Sequence, residues 1–516
     1  MTMTVDELLR RSARRAPDSV AVIETGGSLT YGQLERRADQ VAAALSKVGV
    51  LRGERVVLAL ENSSAFMACY FGILRAQAVV VPLASGPRSD RLTAALSDCT
   101  PAACIVDEAT WPTVAASPVA STLRGYFVVP RRMLSAPNEF ALEDATSGIR
   151  CEEGPPDPST GARDDVAVII YTSGTTGAPR GVMLTHANIC ANTASIVEYL
   201  ELSAADRVMV VLPFYYVYGL SLLHTHVAVG GSVVLDNRFA FPNVVLKGMR
   251  DQAVTGFAGV PSTFAMLLHQ SSLRKMSFPM LRYVTQAGGP MPSARVREWL
   301  EALPGVPFYV MYGATEAAAR LAYVPPAELT RHLGSIGRAI PGVELRVRRE
   351  DGSAADVGEV GELVARGPNI SPGYWNCPEE THARFGPDGY RTGDLGFADR
   401  DGFLYLVGRR HDMIKVGAHR VSAQEIEEVL HEHSAVHEAA VVSVAHDLLG
   451  EVPVAHVALR EGAAAGEPEL VAFCRGRLAE HKVPTQVVFH RELPKSGAGK
   501  IDKRALGVGA QTEVAS

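Results

Sequence analysis

The sequence predicts an α/β fold, with a large N-terminal domain of parallel sheets covered by helices and a smaller α+β domain at the C-terminus. Over most of the first 400 residues, apolar strand-like runs alternate with amphipathic helices, a pattern typical of parallel sheets that bind ligands at the C-terminal ends of their strands. From about Gly334, short strands separated by glycine-rich turns predict a β-rich subdomain, and after Gly408 a unit with mixed α and β patterning begins. We therefore predict domains at 1–408 and 409–516.

Individual elements follow from the apolar runs. The N-terminal residues predict an amphipathic surface helix, because they lack the apolar core of a signal peptide and their acidic residues argue against a transit peptide. Strands are predicted at 55–60, 78–83, 103–107 and 255–260, and a helix over Ser64–Ala76.

The stretch from Val208 to Leu235 contains no Asp, Glu, Lys or Arg and is long enough to span a bilayer. Pro213, Gly219 and the pair Gly230-Gly231 interrupt it. A buried strand, a helix and a second strand explain the same composition, so we expect no membrane association.

Composition indicates a soluble globular protein, since 47% of the residues are hydrophobic and 21% are charged. The net charge of −6 argues against a nucleic-acid partner, which would require a basic face. Seven cysteines occur without CxxC spacing, which favours reduced thiols in a cytoplasmic protein over a disulfide framework or a zinc site.

One short stretch has the composition of a phosphate-binding loop. Residues 171–181 read YTSGTTGAPRG and follow the apolar run Val166–Tyr171, which predicts a buried parallel strand. Glycines let backbone N–H groups turn towards an anion, hydroxyl side chains add donors, and arginine adds a permanent positive charge. The residues that supply these groups are Thr172, Ser173, Gly174, Thr175, Thr176, Gly177 and Arg180. A mononucleotide P-loop is excluded, because Ala-Pro-Arg stands where GK[ST] would be required.

Seven motifs in a fixed order extend over almost the entire chain. They are YTSGTTGAPRGV (171–182), LPFYYVYGL (212–220), QAGGPMP (286–292), YGATE (312–316), YRTGDLG (390–396), GRRHDMIKVGAHRVSAQEIE (408–427) and PKSGAGK (494–500). In these motifs the chain resembles the adenylate-forming enzymes, which include acyl- and aryl-CoA synthetases, stand-alone adenylation domains and luciferase-like ligases. The resemblance implies an AMP-forming acid ligase that uses ATP and Mg²⁺ to make an acyl-AMP and releases pyrophosphate. The acyl group would then pass to CoA or to the pantetheine of a carrier protein.

The resemblance also implies roles in nucleotide binding. The 171–181 loop would hold the β- and γ-phosphates, Tyr312 would stack on adenine, and Thr315 would contact the α-phosphate. Asp394 would accept both ribose hydroxyls, and Glu316 would hold Mg²⁺, a cation served by oxygen ligands. The remaining nucleotide-binding residues that it implies are Gly288, Gly289, Pro290, Gly313, Arg409 and Lys415.

Lys500 is the residue that we expect to carry catalysis. It ends the glycine-rich motif of the small domain and resembles the lysine that bridges the substrate carboxylate and the α-phosphate. Family members rotate this domain after adenylation, so the resemblance implies a mobile domain with His411 at the hinge, where Asp or Lys is usual. Lys495 and Lys503 are interpreted as solvated lysines.

An aromatic-lined pocket is implied for the acid, which favours an aryl, arylacrylic or medium-chain substrate. An α-amino acid is not expected, because Tyr-Tyr-Val-Tyr stands where α-amino-acid adenylation domains carry Asp. The pocket residues implied are Tyr215, Tyr216, Tyr218, Leu220, Val260, Thr263, Ala287, Gly288, Ala317 and Ala318. His224 and His226 are interpreted as core residues, because positions i and i+2 do not share a helical face.

Three positions depart from the family pattern. Arg180 replaces a more common lysine and keeps its charge. Tyr216 stands where His, Phe or Trp often gates the carboxylate, and its hydroxyl either binds the substrate or fills the pocket. Ala418 stands where glycine usually borders the pantetheine tunnel. Either a slight backbone adjustment accommodates the methyl group, or the acceptor is an amine or another non-thiol nucleophile.

A second class of function is a non-catalytic nucleotide-binding protein on the same fold. Such a protein would be expected to lose Lys500, Glu316 or Asp394, and all three are present.

Overall fold

The computed structural model describes residues 3–86, 90–130, 162–173, 179–409, 413–417, 419–446, 448–495, 501–503 and 505–506. Its helices are α1 (Val5–Arg15), α2 (Tyr31–Lys47), α3 (Ser64–Arg75), α4 (Asp90–Cys99), α5 (Trp111–Ala115), α6 (His186–Tyr199), α7 (Val217–Val229), α8 (Pro242–Asp251), α9 (Pro261–His269), α10 (Ser293–Ala302), α11 (Pro378–Arg384), α12 (Ala423–Glu432) and α13 (Glu467–Arg475).

Its strands are β1 (Val20–Glu24), β2 (Gly27–Thr30), β3 (Arg55–Ala59), β4 (Val79–Pro82), β5 (Ala103–Asp107), β6 (Gly125–Val129), β7 (Val166–Ser173), β8 (Pro179–Thr185), β9 (Arg207–Val210), β10 (Ser232–Leu235), β11 (Gly256–Gly259), β12 (Tyr283–Gln286), β13 (Phe308–Tyr312), β14 (Ala322–Val324), β15 (Ser335–Ala339), β16 (Glu344–Arg348), β17 (Gly361–Arg366), β18 (Gly373–Tyr374), β19 (Phe385–Gly386), β20 (Gly389–Ala398), β21 (Leu404–Arg409), β22 (Met413–Val416), β23 (His419–Ser422), β24 (Val436–His446), β25 (Gly450–Leu459) and β26 (Gln486–His490).

One sheet of the large domain has the strand order β18-β8-β7-β4-β3-β5-β6. From β7 to β6 neighbouring strands pair in parallel, whereas β8 returns antiparallel to β7. Strands β3, β4 and β5 are almost completely buried, which explains their continuous apolar sequences. The strands predicted at 55–60, 78–83 and 103–107 are confirmed.

A second sheet has the order β16-β17-β20-β21-β15-β14-β13-β12-β11-β9-β10-β1-β2. Strands β10, β9, β11, β12 and β13 pair in parallel. Beyond β13 the pairing is antiparallel through β14 and β15, and the chain enters the predicted β-rich region. That region is confirmed, and its strands continue the parallel sheet through hydrogen bonds.

The uncharged stretch forms β9, α7 and β10, as predicted. Every residue of α7 from Tyr218 to Val227 is buried. His224 Nε2 lies 2.7 Å from the Tyr70 hydroxyl, and burial lowers the pKa of His224 to about 3 and that of His226 to about 4. Both are therefore neutral core residues, which confirms their interpretation. No helix in the described part of the chain is long and apolar enough to cross a membrane.

The C-terminal part forms a third sheet, in which β23, β22, β25 and β24 are neighbours and β26 pairs with β25. Helices α12 and α13 contribute to its separate apolar core, through residues such as Ile426 and Leu470. Helix α13 ends at Arg475, and Gly476 follows it in the right-handed helical conformation. The boundary between 408 and 409 stays a prediction, since β21 extends to Arg409.

Close packing of α2 on α3 generates a stability prediction. A methyl group at Gly72 would overlap Val41 and lie 2.8 Å from the Ala38 carbonyl oxygen. Gly72→Ala is therefore expected to destabilise the protein by about 1–3 kcal/mol, although alanine is by itself the better helix former. Denaturant unfolding of the full chain measures the change.

Gly248→Ala in α8 is the matched control. Its added methyl group would meet mainly the flexible end of Met209, at 3.2 Å, so this change should be neutral or stabilising. Equal destabilisation by the two substitutions would contradict the packing account.

Candidate active site

The carboxyl ends of four neighbouring parallel strands meet at one edge of the second sheet. Strands β9, β11, β12 and β13 pair in register, for example Gly256 with Tyr283 and Val284 with Phe308. The segments that follow these strands are 211–218, 260–263, 287–290 and 313–318. These segments carry most of the predicted acyl-pocket residues and part of the predicted nucleotide site, so the fold brings the two sets together.

On the acyl side, aromatic and small side chains line this edge. The Tyr218 hydroxyl lies 2.9 Å from Thr285 Oγ1 and donates to the Thr285 carbonyl oxygen at 3.1 Å, which fixes α7 against β12. The rings of Tyr215 and Tyr216 lie 4.4 Å apart between centroids. Burial raises the pKa of Tyr218 to about 12, so it stays protonated at neutral pH. The remaining predicted pocket residues that are buried are Leu220, Val260, Thr263, Ala287, Ala317 and Ala318.

The turn after β12 carries Gly288 and Gly289, two of the predicted nucleotide-binding residues. Gly288 has a φ of 91°, a conformation that favours glycine over any other residue. The Gln286 side chain donates to the Gly289 carbonyl oxygen at 2.8 Å, and the Ala287 N–H donates to the Gly259 carbonyl oxygen at 3.3 Å. The turn is thus held to its own strand and to the neighbouring strand β11.

Tyr312, Asp394 and Arg409 are brought together from three strands. The Tyr312 hydroxyl donates to one carboxylate oxygen of Asp394, and Arg409 Nε donates to the other at 3.1 Å. Asp394 and Arg409 are cross-strand partners in β20 and β21. Asp394 is only 8% exposed, so its charge is held by these donors at a site with little water.

Glu316 lies in a short turn directly after β13. The Tyr374 hydroxyl donates to Glu316 Oε1 at 2.8 Å, and Tyr374 belongs to β18, which pairs with β8. Among the described residues, no Lys, Arg or His lies within ion-pair distance of Glu316, and no group of three or more metal-ligating side chains occurs. A half-buried carboxylate without a cation fits Mg²⁺, which typically takes one or two protein carboxylates together with phosphate oxygens.

The two strands that flank the predicted phosphate loop pair with each other. Strands β7 and β8 pair antiparallel, with Thr172 opposite Arg180 and Ser173 opposite Pro179. The predicted strand at Val166–Tyr171 is parallel to β4 on one side, but it continues as far as Ser173. Arg180 Nε lies 2.6 Å from a carboxylate oxygen of Glu380 in α11.

Several predicted site residues lie outside the described residues, so their roles stay predictions. They are Gly174, Thr175, Thr176, Gly177, His411, Ala418 and Lys500. Lys415 is exposed on β22, where its backbone N–H donates to Glu451.

Lys495 and Lys503 differ from the solvated lysines that the sequence predicts. Lys495 pairs with Glu438 at 2.9 Å and Lys503 with Glu427 at 2.6 Å. Both lysines therefore serve local ion pairs of the small domain.

Sequence reasoning missed four residues at this site: Thr285, Arg320, Tyr374 and Glu380. Each acts through a partner distant in sequence, such as Tyr374 with Glu316, so no local pattern indicates it. Of the four, only Arg320 could have been identified from the sequence, because it places a charge within the small apolar run AAARLAY after the YGATE motif.

Comparison with known proteins agrees with this arrangement. Residues 9–375 match the model of the AMP-binding enzyme family, and residues 425–500 match the AMP-binding enzyme C-terminal domain. A long-chain-fatty-acid–CoA ligase from Bacillus subtilis is 32% identical, over 98% of this chain and 94% of its own length. A feruloyl-CoA synthase from an Amycolatopsis species is 33% identical over 96% of each. The crystal structure of ATP-bound MatB from Rhodopseudomonas palustris superposes with a TM-score of 0.87 at 29% identity and covers 100% of both chains.

The chain belongs to the AMP-binding, adenylate-forming enzyme family. It is an AMP-forming acid ligase, which activates a carboxylic acid with ATP as an acyl-AMP.

The pairing of Arg180 with Glu380 generates a prediction about nucleotide affinity. If Arg180 binds phosphate as the sequence predicts, Glu380 would compete for its guanidinium, whose side chain is only 14% exposed. Glu380→Gln is expected to lower the KM for ATP by about two- to fivefold, the range of a half-exposed ion pair. Steady-state ATP–pyrophosphate exchange measures the change.

Glu379→Gln is the matched control, because Glu379 lies in the same helix and is exposed. An unchanged or higher KM for ATP in Glu380→Gln would show that Glu380 does not compete with phosphate.

Proposed function

We propose that this protein activates an aryl, arylacrylic or medium-chain carboxylic acid and transfers it to CoA. The observation that carries the proposal is a single sheet edge, where the predicted acyl residues Tyr215, Tyr216 and Tyr218 follow β9 and the predicted nucleotide residues Tyr312 and Thr315 lie at the end of β13. The relatives support a thioester product, since one is a feruloyl-CoA synthase and another a long-chain-fatty-acid–CoA ligase.

The first step joins two anions. A carboxylate oxygen attacks the α-phosphorus of ATP, the bond to the β-phosphate oxygen breaks, and pyrophosphate leaves. Since neither reactant needs covalent help from the protein, the protein contributes alignment and neutralisation of charge.

The site residues divide this work. Arg180 and the hairpin loop would hold the β- and γ-phosphates, so they grip the leaving group. Asp394 and Tyr312 would hold ribose and adenine, which fixes the direction of the α-phosphate, and Thr315 would donate to its oxygens. Mg²⁺, held by Glu316, would neutralise phosphate charge when bound.

The second step releases AMP. The thiolate sulfur of CoA attacks the acyl carbon, a carbon–sulfur bond forms, and AMP departs with one oxygen of the original carboxylate. An aromatic wall of Tyr215, Tyr216 and Tyr218 would hold the acyl group in place during both steps.

A substrate panel tests the proposal. ATP–pyrophosphate exchange should be strong with at least one aryl, arylacrylic or medium-chain acid and absent with α-amino acids. Exchange with none of these acids, or with α-amino acids only, would overturn it.

Lys500→Ala is expected to slow ATP–pyrophosphate exchange by about 10²- to 10³-fold, because a positive charge aimed at the transition state is lost. Binding of ATP, measured by calorimetry, should change little. Lys503→Ala is the control, since Lys503 pairs with Glu427 and should leave exchange unaffected. Near-normal exchange in Lys500→Ala would remove Lys500 from the mechanism.

The acceptor is tested by product analysis. With an active acid, ATP and Mg²⁺, mass spectrometry should detect an acyl-CoA when CoA, a carrier protein and amines are offered separately. Ala418→Gly should leave CoA turnover unchanged or increase it, because a methyl group is removed from the implied tunnel. Efficient amide formation without turnover of CoA would contradict transfer to a thiol.

A further inference from the structure

Arg320 is a buried cation beside the acyl pocket. It is 2% exposed, and its guanidinium carbon lies 4.7 Å from the centroid of the Tyr218 ring. Its Nε has no hydrogen-bond partner among the described residues, and the guanidinium lies near Tyr199. No carboxylate of the described chain lies within ion-pair distance of it.

A second buried arginine shows how this chain treats a guanidinium with a structural role. Arg75 is 5% exposed and pairs with three carboxylates: Asp6 at 2.9 Å, Glu35 at 2.8 Å and Asp39 at 2.6 Å. Burial of an unpaired charge costs several kcal/mol, which such partners offset. Among the described residues, the Arg320 guanidinium lies over the Tyr218 ring and near Tyr199 but pairs with no carboxylate, so its charge is left for another partner.

The backbone that carries Arg320 is strained and held from two sides. Ala318 and Ala319 have φ values of 53° and 118°, which are costly for residues other than glycine. Asn192 and Asn369 each donate to the Arg320 carbonyl oxygen, at 3.0 and 2.9 Å. Strain of this kind persists where surrounding contacts impose it, and it clusters at ligand sites.

Further unpartnered polar atoms accompany Arg320. The side-chain oxygens of Asn192, Ser195 and Asn369 are buried without a hydrogen-bond partner. Asn192 and Ser195 lie on one face of α6, together with Tyr199. Buried polar atoms are usually satisfied, so these atoms mark polar surroundings for the guanidinium. Only the Ser195 hydroxyl could donate to a carboxylate, because the two amide oxygens are acceptors.

We propose that Arg320 binds a second carboxylate at the far end of the substrate, so that the preferred acids are dicarboxylic. This rests on the proposed function, because it assigns Tyr218 to the acyl pocket. One carboxylate would react at the α-phosphate near Thr315, and the other would pair with Arg320 behind Tyr218. A guanidinium in contact with an aromatic face keeps N–H donors in its plane, and these match a carboxylate with two parallel hydrogen bonds.

Matched acids test this in the wild-type enzyme. Two sets are used: 3-phenylpropanoate against 3-(4-carboxyphenyl)propanoate, and heptanoate against heptanedioate. The methyl half-ester of each diacid controls for size. Pyrophosphate exchange should show a kcat/KM at least about tenfold higher for the better diacid than for its monoacid and half-ester, the ratio given by about 1.4 kcal/mol.

Arg320→Met should lower kcat/KM for that diacid by about 100-fold, as for loss of a charged hydrogen bond. The same change should leave the monoacids unchanged or improved. Arg320→Lys should keep part of the preference for the diacid. Melting temperatures of both variants separate lost recognition from lost folding, and the wild-type comparison needs no variant.

Preference of the wild-type enzyme for monoacids or half-esters in both sets would overturn the role of Arg320 and leave the proposed function standing. An equal loss for diacids and monoacids in a folded Arg320→Met would also overturn it. Exchange with no acid of either set or of the wider panel would overturn the proposed function as well.

Discussion

Parallel hydrogen bonding among β9, β11, β12 and β13 is the constraint on which the site depends. Because these strands point the same way, segments that begin at residues 211 and 313 in the sequence meet at one edge. The register also matters, since a shift by one residue would turn every side chain of a strand to the opposite face. Tyr218 bonded to Thr285 ties a helix to this register. The sheet thus determines where the predicted acyl and nucleotide residues meet.

Charge is the second organising feature. Arg180 is paired with Glu380 and Arg409 with Asp394, so two cations of the predicted nucleotide site are neutralised within the protein. A phosphate that bound one of these arginines would replace the carboxylate as its partner. The guanidinium would therefore be paired both with and without the ligand. Arg320 differs, because it lies over an aromatic ring and pairs with no carboxylate among the described residues. Arg180 and Arg409 thus have a carboxylate partner in the free protein, whereas Arg320 would gain one only from a bound ligand.

Much of the fold could be predicted from the sequence, because buried parallel strands have continuous apolar runs. The strand Ala103–Asp107 has the predicted bounds, and α7 was separated correctly from a membrane span. The joining of the β-rich region to the parallel sheet could not be predicted, since it depends on pairing between β14 and β15.

The candidate site also contains residues that could be predicted from the sequence and residues that could not. Residues within short motifs, such as Tyr312 and Glu316, could be predicted because the adjacent residues in the sequence identify the motif. Their partners Asp394 and Tyr374 lie 82 and 58 positions away, and only Asp394 belongs to a recognisable motif.

The most direct test of the central claim uses an active acid labelled with ¹⁸O in its carboxylate. If the sheet edge directs that oxygen to the α-phosphorus, released AMP will contain one ¹⁸O atom. Unlabelled AMP, or label in pyrophosphate, would contradict the account.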